Sequence, residues 1–337
     1  MHFYSDNTAT ICPEILEAIL QANTGFAAAY GEDPWTQRLD TVLGKFFGAP
    51  VRAFAVPTGT AANGLALAAV SPPYGAIFAH EQAHVIRDEC GAPTFYSGGA
   101  QLIEVRGPQG KLTADILSAA LNANPVSVHS VQPSAVSLTQ VTEAGTAYRP
   151  AEISALAELA HRRAMKVHMD GARLANALVF LGCEPADVTW RAGVDVLSFG
   201  ATKNGALAAE AVVFFDATLA HDFELRRKRA GHLISKSRYI AAQLLAYVES
   251  HAWHRNASRA NALTQQLAAH AARWLMYPVE SNELFLDLGV GNGQRLRAAG
   301  FEFFDWGAAE SGHARFVVSW DQPAEDVSAL CAALDRL

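Results

Sequence analysis

Leu197-Ser198-Phe199-Gly200-Ala201-Thr202-Lys203-Asn204-Gly205 is an apolar run that breaks into small residues around a single lysine. It reads as a buried strand delivering an amine into a permissive loop. The segment Lys166-Val167-His168-Met169-Asp170-Gly171-Ala172-Arg173 repeats the design with an aspartate, 33 positions ahead of the lysine. A lysine amine can hold an aldehyde as a Schiff base, and a carboxylate from a neighbouring strand end can keep a heterocyclic nitrogen protonated. The pairing points to pyridoxal phosphate chemistry in an α/β fold.

Outward from these two segments, short apolar runs alternate with stretches of helical period, the pattern of a mostly parallel sheet covered by helices. The runs predict strands at 52–56, 76–79, 102–105, 126–131, 166–169, 194–199 and 211–215. Helices are expected over 13–21, 34–47, 61–70, 113–122, 150–164 and 173–181. After Asp216 the rhythm changes to long Ala- and Leu-rich helical stretches, followed by strands at 284–288 and 315–320. This predicts an N-terminal arm and large cofactor-binding domain over 1–245, and a small α+β domain over 246–337.

Composition narrows the function classes. The chain has 337 residues, half of them hydrophobic, 18% charged, with a net charge of -7. The basic residues are scattered apart from Glu224-Leu225-Arg226-Arg227-Lys228-Arg229, so nucleic acid is not an expected partner. Four cysteines without CxxC spacing imply neither a disulfide framework nor a zinc site, and fit a reducing compartment. No run is long and apolar enough to span a bilayer, and a cytoplasmic location is expected.

A third piece lies at another strand end, in Thr58-Gly59-Thr60-Ala61-Ala62-Asn63. Small and hydroxyl residues there open a helix whose free backbone donors could hold a phosphate. Threonine before an alanine-rich helix is also an ordinary cap, as an aspartate at a strand end can be, and most lysines are solvated. The ordered set of phosphate loop, aspartate and lysine is more specific than any member.

Two motifs compete. His80-Glu81-Gln82-Ala83-His84 matches HExxH, which on a helix would bind zinc and make a hydrolase. Here it follows a strand directly, so the two histidines are not expected on one helical face, and no metal is expected. Gly289-Val290-Gly291-Asn292-Gly293 lacks the dinucleotide spacing and reads as a turn.

Ser5-Asp6-Asn7-Thr8, Tyr30-Gly31-Glu32-Asp33-Pro34, Pro57 to Asn63, His84, His168 to Arg173, Lys203 and Arg315 together resemble the threonine aldolase group of pyridoxal phosphate enzymes, over nearly the whole chain. Arg229-Ala230-Gly231-His232-Leu233-Ile234-Ser235-Lys236 resembles the low-specificity L-threonine aldolase branch, which includes phenylserine aldolases. The resemblance implies an aspartate-aminotransferase-like fold-type I architecture and a homotetramer with active sites shared between subunits.

It also implies roles. Lys203 would form the Schiff base and Asp170 would pair with the pyridine nitrogen. Arg173 would partner the phenolic oxygen, and His84 would stack on the ring. Gly59, Thr60 and Thr202 would bind phosphate, helped by Lys228 or Lys236 from a neighbouring subunit, although a solvated helix face explains either lysine equally well. Ser5 and Arg315 would grip the substrate carboxylate, with Tyr30 beside the substrate. The implied reaction splits L-3-hydroxy-α-amino acids (threonine, allo-threonine, phenylserine) into glycine and an aldehyde, with His84 as the leading candidate to take the β-hydroxyl proton. The alternatives are β-elimination, racemisation or hydroxymethyl transfer on the same cofactor.

One departure stands out. Many members carry a second active-site histidine in the loop after the central strand, where this chain reads Leu138-Thr139-Gln140-Val141-Thr142-Glu143-Ala144-Gly145. His129 and His168 lie nearby, but a histidine on an apolar strand is more often a hydrogen-bonded core residue.

Overall fold

The computed structural model describes residues 1–308 and 311–337. Seven strands form the larger sheet: β1 (Arg52–Val56), β2 (Gly75–His80), β3 (Gln101–Val105), β4 (Gln132–Thr139), β5 (Lys166–Gly171), β6 (Val196–Gly200) and β7 (Glu210–Phe214). Their spatial order is β1-β7-β6-β5-β4-β2-β3. Neighbours from β3 to β6 run parallel, while β7 is antiparallel to both β6 and β1. Strands β2, β6 and β7 are buried along their whole length, which is why they read as continuous apolar runs rather than alternating ones.

Helix starts follow from local chemistry. Thr58 Oγ1 accepts the Ala61 N–H and opens helix Gly59–Val70, and Thr113 caps Ala114–Ala123 in the same way. Pro150 begins Pro150–Arg162, where the Glu152 carboxylate reaches back to the Arg149 N–H at 2.6 Å. Helix Gly59–Val70 is buried from Ala61 through Ala68, and its small residues permit close packing: a Cβ on Gly64 would stand 2.8 Å from the ring of Tyr96, on helix Ala92–Ser97.

The strand expected over 126–131 is a correction. Those residues form a turn closed by Ser130 Oγ on the Pro125 carbonyl, with Val126 and Val128 exposed, and the strand runs over β4 instead. Alternating Val and Ser mimicked a strand, while Pro133 masked the real one, whose pairing with β2 shifts register at that point. His129 therefore lies in an exposed turn, not on a strand.

The second sheet has order β8-β10-β9, antiparallel throughout: β8 (Glu283–Asp287), β9 (Phe304–Asp305) and β10 (His313–Val317). Its core combines Leu267, Leu284, Phe303, Phe316 and Leu330 with Phe3 from the amino terminus. Phe3 is held by its N–H on the Glu302 carbonyl and its carbonyl under the Val317 N–H, and burying such a ring is worth roughly 1.5–3 kcal/mol. The amino-terminal arm thus packs on the carboxyl-terminal sheet before entering the larger unit. Residue 245 falls inside helix Arg238–Glu249, whose Leu244 and Leu245 belong to the larger core, and core membership changes along helix Ala252–Ala271. No helix among the described residues is long and apolar enough to cross a membrane.

Candidate active site

Lys203 sits in a single 3-10 turn, Thr202–Asn204, directly after β6. The loop is pinned from behind: Asn204 Nδ2 donates to the Tyr247 hydroxyl at 2.7 Å, and Asn256 Nδ2 donates to the Asn204 carbonyl at 2.9 Å. Gly205 closes it at φ 109°, and a Cβ there would lie 2.6 Å from Asn256 Nδ2. Thr202 Oγ1 accepts the Ala209 N–H and lies against the Glu210 carboxyl.

Asp170 is the penultimate residue of β5, 4% exposed. One oxygen accepts the Ala172 N–H at 3.0 Å and the other accepts Asn63 Nδ2 at 2.7 Å. Burial alone would raise its pKa, but the His84 and Lys203 charges and these donors hold it below the usual carboxylate range. The group therefore stays ionised and faces cationic partners.

His84 opens the short helix His84–Arg87 and keeps 38% of its side chain exposed. Its N–H donates to Glu143 Oε1 at 2.7 Å, and its Nδ1 lies 2.8 Å from Glu89 Oε1. Nε2 takes no partner among the described residues. His80 is separate: at the buried end of β2, its Nδ1 accepts the Gln82 N–H and its Nε2 lies 3.0 Å from the Gly107 carbonyl. Glu81 pairs with Arg106. HExxH is therefore split between a strand end and a helix start, and does not assemble as a zinc ligand set.

Arg173 is engaged on both sides. Its Nε and Nη2 donate to the two Asp6 oxygens at 2.7 and 2.9 Å, and Nη1 lies 3.4 Å from Glu283. Burial would lower its pKa, but the carboxylates of Asp6, Glu283 and Asp170 together raise it. Ser5 caps the turn Asp6–Thr8, its Oγ accepting the Asn7 N–H. Arg315, on β10, donates from Nη2 to the Tyr4 carbonyl at 3.3 Å, while its Nε is buried without a partner. No carboxylate among the described residues pairs with it, so a guanidinium stands beside the Tyr4–Ser5 arm ready for an anion.

Tyr30 and Lys228 meet each other, with the ammonium 4.2 Å from the ring centroid, and the Tyr30 N–H donates to the Ser235 carbonyl. Neither shares a hydrogen bond or ion pair with Lys203, Asp170 or His84, and Lys228 and Lys236 are exposed. His168 is a core residue, its ring nitrogens 2.9 and 3.0 Å from the Ser137 and Ser198 hydroxyls.

The polar residues that sequence reasoning missed are Asp6, Asn63, Glu89, Glu143, Glu210 and Glu283. Glu210 carried a signal, as a carboxylate inside the apolar run Ala209 to Phe214. Burial pushes it, like Glu143, up to about 7. The others come together only through long-range folding.

The donor set fits pyridoxal phosphate. The Gly59 and Thr60 N–H groups at the start of a long helix meet no protein acceptor among the described residues, and no atom lies within 4 Å of where a Cβ on Gly59 would stand. An ionised carboxylate and a lysine amine lie within the same electrostatic neighbourhood. Together with the sheet order, these features fit a fold-type I pyridoxal phosphate-dependent enzyme.

The beta-eliminating lyase family model matches residues 2–289. A low-specificity L-threonine aldolase of Pseudomonas aeruginosa is 44% identical, with 97% of this chain and 95% of that protein aligned. Another from a Pseudomonas species is 43% identical over 98% and 96%. The threonine aldolase structure from Leishmania major superposes with a TM-score of 0.93 at 24% identity, covering 99% of this chain and 98% of that one. The chain belongs to the beta-eliminating lyase family, in its low-specificity L-threonine aldolase group.

Proposed function

We propose that this enzyme cleaves L-3-hydroxy-α-amino acids, threonine, allo-threonine and phenylserine among them, to glycine and an aldehyde. The observation that carries the reading is an imidazole with a free Nε2 held beside Asp170 and the Lys203 amine.

When bound, pyridoxal phosphate supplies an aldehyde for an amine and a ring that takes up the electron pair left on Cα. Lys203 is the amine for that aldehyde, Asp170 the counter-charge for the ring nitrogen, and Gly59 with Thr60 the phosphate donors. Arg173, held by Asp6 and Glu283, would supply the positive charge for the phenolic oxygen, and Thr202 would add to the phosphate donors. Ser5 and Arg315 hold the substrate carboxylate, and this grip sets which bond at Cα lies perpendicular to the ring. With the Cα–Cβ bond so placed, His84 Nε2 takes the β-hydroxyl proton. The O–H and Cα–Cβ bonds break, the C=O of the aldehyde forms, and a proton added at Cα completes glycine.

A homotetramer with shared sites accounts for Tyr30, Lys228 and Lys236, which make no hydrogen bond or ion pair with Lys203, Asp170 or His84, and for the exposure of Phe26 and Leu225. In this reading either lysine reaches a neighbour's phosphate and Tyr30 a neighbour's substrate. The four cysteines are free, the state that a reducing cytoplasm maintains.

Aldehyde and glycine release from L-threonine, L-allo-threonine and L-phenylserine tests the reaction, with Lys203→Ala expected to abolish turnover. Ammonia with 2-oxobutyrate from the threonines, or with phenylpyruvate from phenylserine, would instead establish β-elimination, which the beta-eliminating lyase family also accommodates.

A further inference from the structure

Glu89 is 3% exposed as a residue and its side chain is wholly buried. Its Oε1 accepts Asn63 Nδ2 at 2.7 Å and faces His84 Nδ1 at 2.8 Å. The same Asn63 amide nitrogen donates to Asp170 Oδ2 at 2.7 Å. One buried amide thus links two carboxylates, one on the imidazole and the other at the end of β5. Asn63 Oδ1 and Glu89 Oε2 remain without partners.

This construction is costly. A buried acid loses its hydration, and an asparagine among Ala62, Leu65 and Ala66 leaves an amide oxygen unsatisfied. An apolar helix face would be more stable, so the chain Asp170–Asn63–Glu89–His84 calls for another explanation. Its geometric result is specific. With Nδ1–H committed to a carboxylate, the neutral imidazole carries its lone pair on Nε2, the nitrogen on the open side.

We propose that Glu89, anchored by Asn63, is a positioning residue that locks His84 in the Nδ1–H tautomer and makes the charge of this base depend on that of Asp170. The inference rests on His84 being the proton acceptor argued above. Four groups face the imidazole or its backbone: Glu89, Asp170, Lys203 and Glu143. The hydrogen bond to Glu89 is the largest influence and raises the His84 pKa against burial and the Lys203 charge. Burial in turn raises Glu89, opposed by His84 and Asn63.

The test uses the full-length holoenzyme with L-threonine. Glu89→Gln is expected to lower kcat roughly 10–100-fold, the range for losing a partner that orients an imidazole, with KM little changed. The acid limb of its kcat/KM profile should move to lower pH, because the imidazole loses its carboxylate. Glu89→Asp, which keeps the charge, should leave that limb near its wild-type position, and provides the comparison if Glu89→Gln folds poorly. In a His84→Phe background, Glu89→Gln should cost nothing further. A Glu89→Gln limb at the wild-type pH, a Glu89→Asp limb displaced like that of Glu89→Gln, or losses that multiply with His84→Phe would each overturn the inference. If His84→Phe alone turned over normally, the base assignment itself would fall; an inactive His84→Phe with an unshifted Glu89→Gln limb would sink only the role given to Glu89.

Discussion

Arg173 holds Asp6 through two parallel hydrogen bonds of 2.7 and 2.9 Å, joining the amino-terminal arm to the end of β5. Asp6 is 1% exposed, and its pKa is held low although burial opposes this, because Arg173 and Lys203 supply positive charge. Removing one member of a buried pair leaves the other charged and desolvated. Asp6→Ala should therefore destabilise the protein by on the order of 3 kcal/mol. Urea unfolding checks this, and a loss below about 0.5 kcal/mol would mean that Glu283 alone satisfies Arg173.

Glu143 brings a pH-dependent liability. Burial raises its pKa to about 7, so the folded cofactor-free protein binds a proton that the unfolded chain releases nearer 4.5. Stability is fully present below about 4.5 and declines as pH rises through 7, by an upper limit of about 3 kcal/mol. Glu143→Gln keeps an acceptor for the His84 N–H and removes the charge. Its stability relative to wild type should rise between pH 5 and 8; a constant difference would show that the carboxyl ionises freely in the fold.

His168 works in the opposite direction. Burial lowers its pKa to about 4, so the unfolded chain gains a proton at higher pH than the folded one. Stability present above about 6.5 is lost as pH falls toward 4, again by up to about 3 kcal/mol. His168→Gln should weaken the protein at pH 8 through the lost serine contacts yet flatten its acid dependence. Unfolding at pH 8 and pH 5 measures both effects, and equal pH slopes in variant and wild type would refute the account. The opposed slopes of His168 and Glu143 partly cancel, so each is visible only in its own variant.

Gly205→Ala should move Lys203 without touching it. The residue has φ 109°, and the new methyl would meet Asn256 and Cys12. Strain of about 1–3 kcal/mol is expected, with weaker cofactor retention on dialysis and reduced kcat. Normal retention and turnover would mean that the Asn256 amide moves aside freely.

Much of the larger unit was legible because strands such as β2, β6 and β7 are buried on both faces and several helices begin with ordinary caps. Lys203 and Asp170 could be placed at strand ends because each follows a short, mostly apolar run that breaks into small residues. The 126–131 error arose where Ser and Val alternate in a turn and a proline interrupts the real strand. The polar network was hidden for a different reason. Asn63 lies 26 residues from Glu89 and 107 from Asp170, and nothing local distinguishes an amide that bridges two acids from one that faces water. Arg173 could be read only as a cation near the cofactor; its commitment to Asp6 spans 167 residues. Lys228 and Tyr30 share no periodic pattern, and their stacking follows from the fold of the 223–235 segment.

The antiparallel direction of β7 has a mechanical consequence. Because Gly200 and Glu210 sit opposite each other in the sheet, the lysine loop is a closed span anchored at both ends on one edge. A parallel crossover would let a helix absorb an insertion or deletion, whereas here any change in the length of 201–209 is transmitted directly to the position of the amine. Efforts to reshape the pocket for bulkier aldehydes therefore have to leave the length of the span carrying Lys203 unchanged.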